Sequence, residues 1–331
     1  MSWPTLTIRL KQRVVGLLDY ESRCNLRLSS KDDRDAVDST VFRPAKLKIC
    51  EMQSDMSPGK TIIRCDMDTL TVWLIGKENL TRIDRGWNGE IVEELSETRQ
   101  ENRYEVLNRF LIFIANKGVI EAGSVEIDGV DFAPPDNWNP KCRSLSICGI
   151  TNQHIVPWIN TSIANNAKFK ILEVSCWGED EAIGTILNDV KVTHSLKLHH
   201  DVTMSDEQLE TIEAADLLLS SQRITVDGAV KRLEHYLKFG RKEGCLELRV
   251  ACPEGFDAER DFIPKSLKVK KETKENRDAG EFYGKIVGGF KNVHGIQEPR
   301  VLEIIIFQDS MRIWSEIYEK PAPTPCQMYP F

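Results

Sequence analysis

The sequence predicts an α/β protein: a small N-terminal module of three helices, followed by an irregular, curved α/β solenoid with parallel strands. Three observations carry this. The first forty residues repeat apolar positions at the helical period, with Ile8, Leu10, Val14, Val15, Leu17 and Leu18 separated by Arg9, Lys11, Gln12 and Arg13. A short apolar-x-apolar strand then recurs at Val125/Ile127, Leu145/Ile147, Leu172/Val174, Leu196/Leu198, Leu217/Leu219 and Leu246/Leu248. Helix-like segments separate these strands, and that alternation means parallel strands joined by crossover helices.

Taken in order, Leu10, Val14 and Leu17/Leu18 share one face of the first helix, and Asp19-Tyr20 ends it. A second short helix carries Cys24, Leu26 and Leu28. Ser30, with Asp33 three residues on, reads as a capping-box-like start for a third helix through Val37. Residues 46–50 alternate as a strand does, and 61–65 and 69–75 are rich in β-branched residues. Ser57-Pro58-Gly59 and Gly76-Lys77-Glu78-Asn79 supply turns, so this stretch reads as a small antiparallel sheet. Residues 101–117 follow as an amphipathic helix, with Tyr104, Leu107, Leu111 and Ile114 on one stripe. The expected organisation is 1–45 as the helical module, 46–120 as a linking sheet and helix, and 121–331 as the repeat domain.

The steps between the six apolar pairs are 20, 27, 24, 21 and 29 residues, about 24 on average. That lies within the range of leucine-rich repeats. Helices are expected at 153–164, 180–187, 206–214 and 226–239, the last with Val230, Leu233 and Leu237 at helical spacing. The expected shape places helices outside and a strand-lined concave face inside. After Asp257 the repeat stops. Residues 268–281 read as a mobile loop, 301–307 and 311–317 as a closing hairpin around Gln308-Asp309-Ser310, and 321–325 as an extended Pro-rich tail.

The net charge is −7, from 44 Lys+Arg against 51 Asp+Glu, which argues against nucleic-acid backbone binding. The longest apolar run, 110–115, is far short of a membrane span, and the first residues lack a signal-peptide stretch. Nine cysteines without a C-x-x-C pair read as reduced thiols in the cytoplasm or nucleus. Gly59-Lys60-Thr61 resembles the end of a phosphate-binding loop, but Ser54 stands where that loop needs glycine, and a strand follows where it needs a helix. His194, His199, His200 and Asp201 are the densest metal-capable cluster. His199 and Asp201 share one strand face and His200 the other, which reads as a polar patch rather than a site. No Gly-x-Ser-x-Gly elbow occurs. No catalytic residue, metal or cofactor is expected.

Residues 3–40 resemble an F-box. Trp3-Pro4-Thr5-Leu6, then Leu10, Val14, Val15 and Leu18-Asp19, then Arg23, Leu26-Arg27 and Ser29-Ser30-Lys31 follow the F-box order of start, helix, Leu-Asp turn and helix. The run from Leu17 to Arg27, with Val37-Asp38-Ser39-Thr40, is similar to the expanded nematode F-box proteins. In those, an F-box precedes an F-box-associated domain of leucine-rich-repeat-like character. Thr7 departs from the family's proline after leucine, and Arg34 stands near its third-helix tryptophan.

The resemblance implies a non-catalytic substrate receptor of an SCF-type cullin–RING ubiquitin ligase. The F-box would dock on a Skp-type adaptor and, through it, a cullin; the C-terminal domain would hold an unidentified target protein. Without adaptor binding, the same chain would be an interaction scaffold. Pro4, Leu6, Leu10, Val14, Leu18 and Leu26 are expected to form the core and docking surface of the module. In each repeat strand the apolar pair points inward, so the alternate residues point to the concave face. That parity nominates Ser146, Glu173, Lys197, Leu218 and Glu247, and further along the strands Ser175, Trp177, His199, Ser220 and Arg249, as the target-binding row. Lys270, Lys271 and Lys274 of the loop are weaker candidates for an acidic target.

Overall fold

A computed structural model of the chain describes residues 3–53, 61–77, 79–87, 90–92, 96–116, 120–164, 168–177, 187, 190–239, 245–250, 253, 255, 257–261, 269–271, 282–291, 297–306 and 310–315. Two units form, Met1–Ala167 and Lys168–Phe331.

The first unit begins with a 3-10 turn at Trp3–Thr5 and three helices: α1 (Ile8–Val15), α2 (Tyr20–Ser29) and α3 (Lys31–Asp38). Asp19 caps α2, accepting from the Ser22 amide at 2.8 Å, and Ser30 caps α3, accepting from the Asp33 amide at 3.1 Å. The module's core is small: Val15, Ala36 and Val37, with Trp3 and Leu26 packed against them. A buried polar knot supplements it. Lys11 Nζ lies 3.1 Å from an Asp33 carboxylate oxygen, the Trp3 indole donates to that oxygen at 2.8 Å, and Lys11 lies over the Trp3 ring. Hydrogen bonds from Ser30, Trp3 and Lys11 hold the Asp33 carboxyl below its ordinary range.

This knot sets the inward face of α1 and divides the residues expected to form the core and docking surface. Lys11 and Val15, four residues apart, are the buried side of α1. Leu10 and Val14 therefore face outward, 40% and 41% exposed, and Pro4 is exposed as well. Leu6 and Leu18 are half-buried, and only Leu26 of the nominated set packs on the core. Arg23 is buried and donates to the carbonyl oxygens of Leu18, Thr40 and Val41. It thereby fastens α2 to the segment that leads into the sheet.

Strands β1 (Lys46–Gln53), β2 (Thr61–Met67), β3 (Leu70–Lys77) and β4 (Leu80–Trp87) form an antiparallel meander, and β5 (Glu90–Ile91) and β6 (Glu97–Arg99) pair with β4. Helix α4 (Arg103–Ala115) starts in a capping box of Asn102 and Glu105 and buries Val106, Leu107, Leu111 and Ile114. β1 pairs on its other side with β7 (Glu121–Asp128), parallel, and β7 pairs with β8 (Lys141–Thr151), parallel. The sheet thus runs unbroken across the organisation boundary expected at 120. Helix α5 (Asn152–Ile163) ends the described part of this unit apart from Ala164.

The second unit opens with four parallel strands: β9 (Lys168–Trp177), β10 (Lys191–Asp201), β11 (Asp216–Ser221) and β12 (Cys245–Val250). Helix α6 (Asp206–Thr211) connects β10 to β11 and α7 (Val226–Phe239) connects β11 to β12; α8 (Ala258–Asp261) follows. The helix expected at 180–187 lies outside the described residues except Leu187. β13 (Val269–Lys271), β14 (Phe282–Lys291), β15 (Gln297–Ile306) and β16 (Ser310–Ser315) are antiparallel, and β16 joins β12. The expected hairpin is therefore present as β15 and β16. Within the expected loop, Val269–Lys271 is a strand paired with β14, where Val269 is opposite Ile286; 268 and 272–281 lie outside the described residues. Lys270 and Lys271 sit on that strand, and Lys274 lies outside the described residues.

The six apolar pairs form the sheet core, each side chain no more than 1% exposed. In the first unit Val125 and Ile127 register with Leu145 and Ile147. In the second, Leu172, Leu196, Leu217 and Leu246 register in turn across four strands. The pairing is parallel and in sequence order within each unit. Leu219→Ala is expected to cost about 2–5 kcal/mol of stability, as for a fully buried leucine that leaves a cavity. Leu218→Ala, one residue away on the other face, is expected to cost about 1 kcal/mol. Urea unfolding of the two variants checks this; equal costs would contradict the assigned faces.

Candidate functional site

Because side chains alternate along a strand, burying the apolar pairs leaves the residues between them on the opposite face. In the second unit this face carries one register of Glu173, Lys197, Leu218 and Glu247, and a second of Ser220 and Arg249. Glu173, Ser175, Lys197, His199, Leu218, Ser220 and Glu247 are half-buried, and Arg249 is exposed. Trp177 ends β9, and its side chain lies outside the described residues.

The row is internally bonded. His199 Nε2 lies 3.0 Å from the Glu173 carboxylate, with both side chains about four-fifths buried. The hydrogen bond with His199, and then the charge of Lys197, hold the Glu173 carboxyl below its ordinary range against the opposing effect of burial. Asp201 accepts from the Ser220 hydroxyl. The Ser195 hydroxyl donates to Asp216 at 2.7 Å, and Asp216 also accepts from the Cys245 amide at 3.0 Å. His200 points to the buried side, so the histidine cluster is divided between two faces. No group of three or more His, Cys, Asp and Glu among the described residues could hold a metal ion.

In the first unit, Ser146 occupies the corresponding face of β8, opposite Glu126 of β7. The same face continues across strands that the repeat pattern did not include. One register runs Ser146, Glu126, Lys48, Asp66 and Thr71; the next runs Cys148, Asp128, Cys50, Arg64, Trp73 and Asp84. Arg64 pairs with Asp66 at 2.9 Å, Arg82 pairs with the buried Asp84 at 2.7 Å, and Lys46 pairs with Glu126 at 2.7 Å. Half-buried Trp73 lies in register between Arg64 and Asp84. An aromatic residue with an arginine on one side and an aspartate on the other has the composition of a protein-binding centre. The signal was present in the sequence: Trp73 lies between Val72 and Leu74, the alternation used for the later strands.

The second candidate surface belongs to the helical module. Ile8, Leu10, Val14 and Leu17 are 49%, 40%, 41% and 88% exposed along α1 and just past it. Beside them an open groove of about 430 Å³ is lined by Trp3, Val14, Leu18 and Leu26 with Ser22, Asn25 and Ser29. A module that buries Val15, Ala36 and Val37 while exposing Ile8, Leu10, Val14, Leu17 and Leu28 has more apolar face than its own core uses.

The Glu173–His199 contact has a definite pH signature. A carboxyl depressed in the folded state contributes stability above its unfolded value, and that contribution is lost as pH falls through the folded one. Glu173→Gln is therefore expected to narrow the stability difference from wild type as pH drops from 7 to 3. In His199→Gln, an NMR titration should show the Glu173 carboxyl moving up toward its ordinary range. An unmoved titration would show that His199 does not set it.

Comparison with protein-family models, curated proteins and solved structures finds no match for this chain.

Proposed function

We propose that this chain is the substrate-recognition subunit of an SCF-type cullin–RING ubiquitin ligase. The observation that carries the reading is the outward stripe of Leu10, Val14 and Leu17 on a module whose inward face is closed by Lys11, Asp33 and Val15. Its sequence, from Trp3-Pro4-Thr5-Leu6 to Ser30-Lys31, resembles an F-box. In this reading Leu6, Leu10, Val14 and Leu18, with Pro4 and Leu26 beside them, dock on a Skp-type adaptor, which brings a cullin. Burial of exposed leucines at a protein interface supplies the affinity.

The parallel strands are read as part of an irregular leucine-rich-repeat-like solenoid. The polar row of Ser146, Glu173, Ser175, Lys197, His199, Leu218, Glu247 and Arg249, with Trp177, would hold the target protein. Both signs of charge lie on that row, as specific recognition of a protein surface requires. The receptor itself performs no chemistry in this reading: it raises the effective concentration of target lysines near the charged conjugating enzyme. The proposed setting is the cytoplasm or nucleus. No helix among the described residues is long and apolar enough to cross a membrane.

Adaptor and cullin are expected to co-purify with the full chain from cells. The doubly substituted L6A/L10A chain is expected to bind purified adaptor with a loss of about 1–3 kcal/mol, or roughly 5- to 150-fold, in a titration. Unchanged affinity with an intact fold would remove the adaptor assignment. Recovery of targets without adaptor or cullin would favour the scaffold reading. Separately, Glu173→Lys, Lys197→Glu and Arg249→Glu are expected to reduce target capture while leaving adaptor binding intact. Capture that persists in all three would exclude this row as the receptor surface.

A further inference from the structure

A second cavity in the first unit lies between α2, α3 and α4, on the other side of the module from the α1 stripe. Its volume is about 250 Å³. The apolar lining is Leu28, Val37, Phe42, Phe113, Ile114 and Ile120. Ile114, Ile120 and Val37 form a buried floor, while Leu28 and Phe113 are 77% and 47% exposed. A cavity of roughly 150 Å³ already holds benzene, so this one has room for a chain of about eight carbons.

The polar lining decides the ligand's charge. It consists of Tyr20, Arg23, Cys24, Arg27, Asp38 and Thr40. Arg27 is matched: its guanidinium grips Asp38 at 2.7 and 3.1 Å. Arg23 is not matched in this way. It is 4% exposed, its three hydrogen-bond partners are all neutral carbonyl oxygens, and its charged group lies 5.0 Å from the centre of the Phe42 ring. Three bonds leave two of a guanidinium's five N–H groups to offer. Arg43, the neighbouring charge felt by Arg23, is a second cation and pairs instead with Glu121. A buried cation is costly without a counter-charge. Two arginines against one aspartate leave the cavity wall with one positive charge in excess.

We infer that this cavity binds a small aliphatic carboxylate, with its chain on the Ile114, Ile120 and Phe113 side and its carboxylate supplying the counter-charge that Arg23 lacks. The inference is independent of the ligase reading. It is a binding site, with no covalent step.

Octanoate, 1-octanol and octylamine serve as probes of equal chain length and different charge, titrated calorimetrically into the full chain. Octanoate is expected to bind saturably and roughly tenfold more tightly than octanol, the worth of one hydrogen-bonded charge; octylamine should bind more weakly than either. Cys24 lines the cavity, so bound octanoate should slow its alkylation, read peptide by peptide by mass spectrometry. Leu28→Asp, at an exposed mouth position that leaves the fold intact by circular dichroism, should weaken octanoate roughly tenfold or more. Absence of saturable octanoate binding would overturn the inference. So would octanol or octylamine binding as tightly as octanoate, an unprotected Cys24, or unchanged binding in Leu28→Asp.

Discussion

Alternation of the apolar pairs along the parallel strands is the constraint on which the rest of this structure depends. Each strand places two apolar side chains on the core face, and each such pair contributes roughly 3–6 kcal/mol by burial alone. Leu172, Leu196, Leu217 and Leu246 stand opposite one another across four strands, so a slip of one residue in any of them would send its leucines to the outer face. That penalty fixes the other face as firmly as the core. Glu173, Lys197, Leu218 and Glu247 form a row because their neighbours must be buried. Their own bonds, such as Glu173 with His199, then orient side chains already placed together.

The helical module uses the same physics to a different end. Three short helices bury too little apolar surface to hold themselves, and here a buried ion pair supplements it. Lys11 turns inward, its ammonium against Asp33 and over the Trp3 ring. The cost of that choice is that Leu10 and Val14 lie outside. An ion pair in a small core is weak evidence of stability, but it fixes one orientation of α1 over the alternative that buries the leucines. The outward stripe and the internal ion pair are therefore one feature.

Elements set by local pattern were legible in the sequence. The bounds of α7, 226–239, agree residue for residue, the Ser30 cap forms as read, and the six apolar pairs lie where alternation put them. Features set by distant partners were not. The parallel pairing of β1 with β7 joins residues about eighty positions apart, so nothing local signals it, and the expected boundary at 120 falls inside a continuous sheet. The shared face of Leu10 and Val14 was legible, but not that it lies outward: Lys11/Val15 and Leu10/Val14 have the same four-residue spacing, and the buried Asp33, twenty-two residues beyond Lys11, selects the first pair for the core. The polar row was legible as parity, and Trp73 shares that parity between Val72 and Leu74, while the role of Arg23 emerged only once the 40–42 segment had partners.

The claim most exposed to test is that the outward stripe of α1 is a docking surface. Amide hydrogen exchange of the full chain, alone and with saturating Skp-type adaptor, measures it directly. The account expects new protection confined to residues 3–40, strongest through α1 and the start of α2, with β9–β12 unchanged. No added protection, or protection appearing on β9–β12 while α1 exchanges as before, would contradict it.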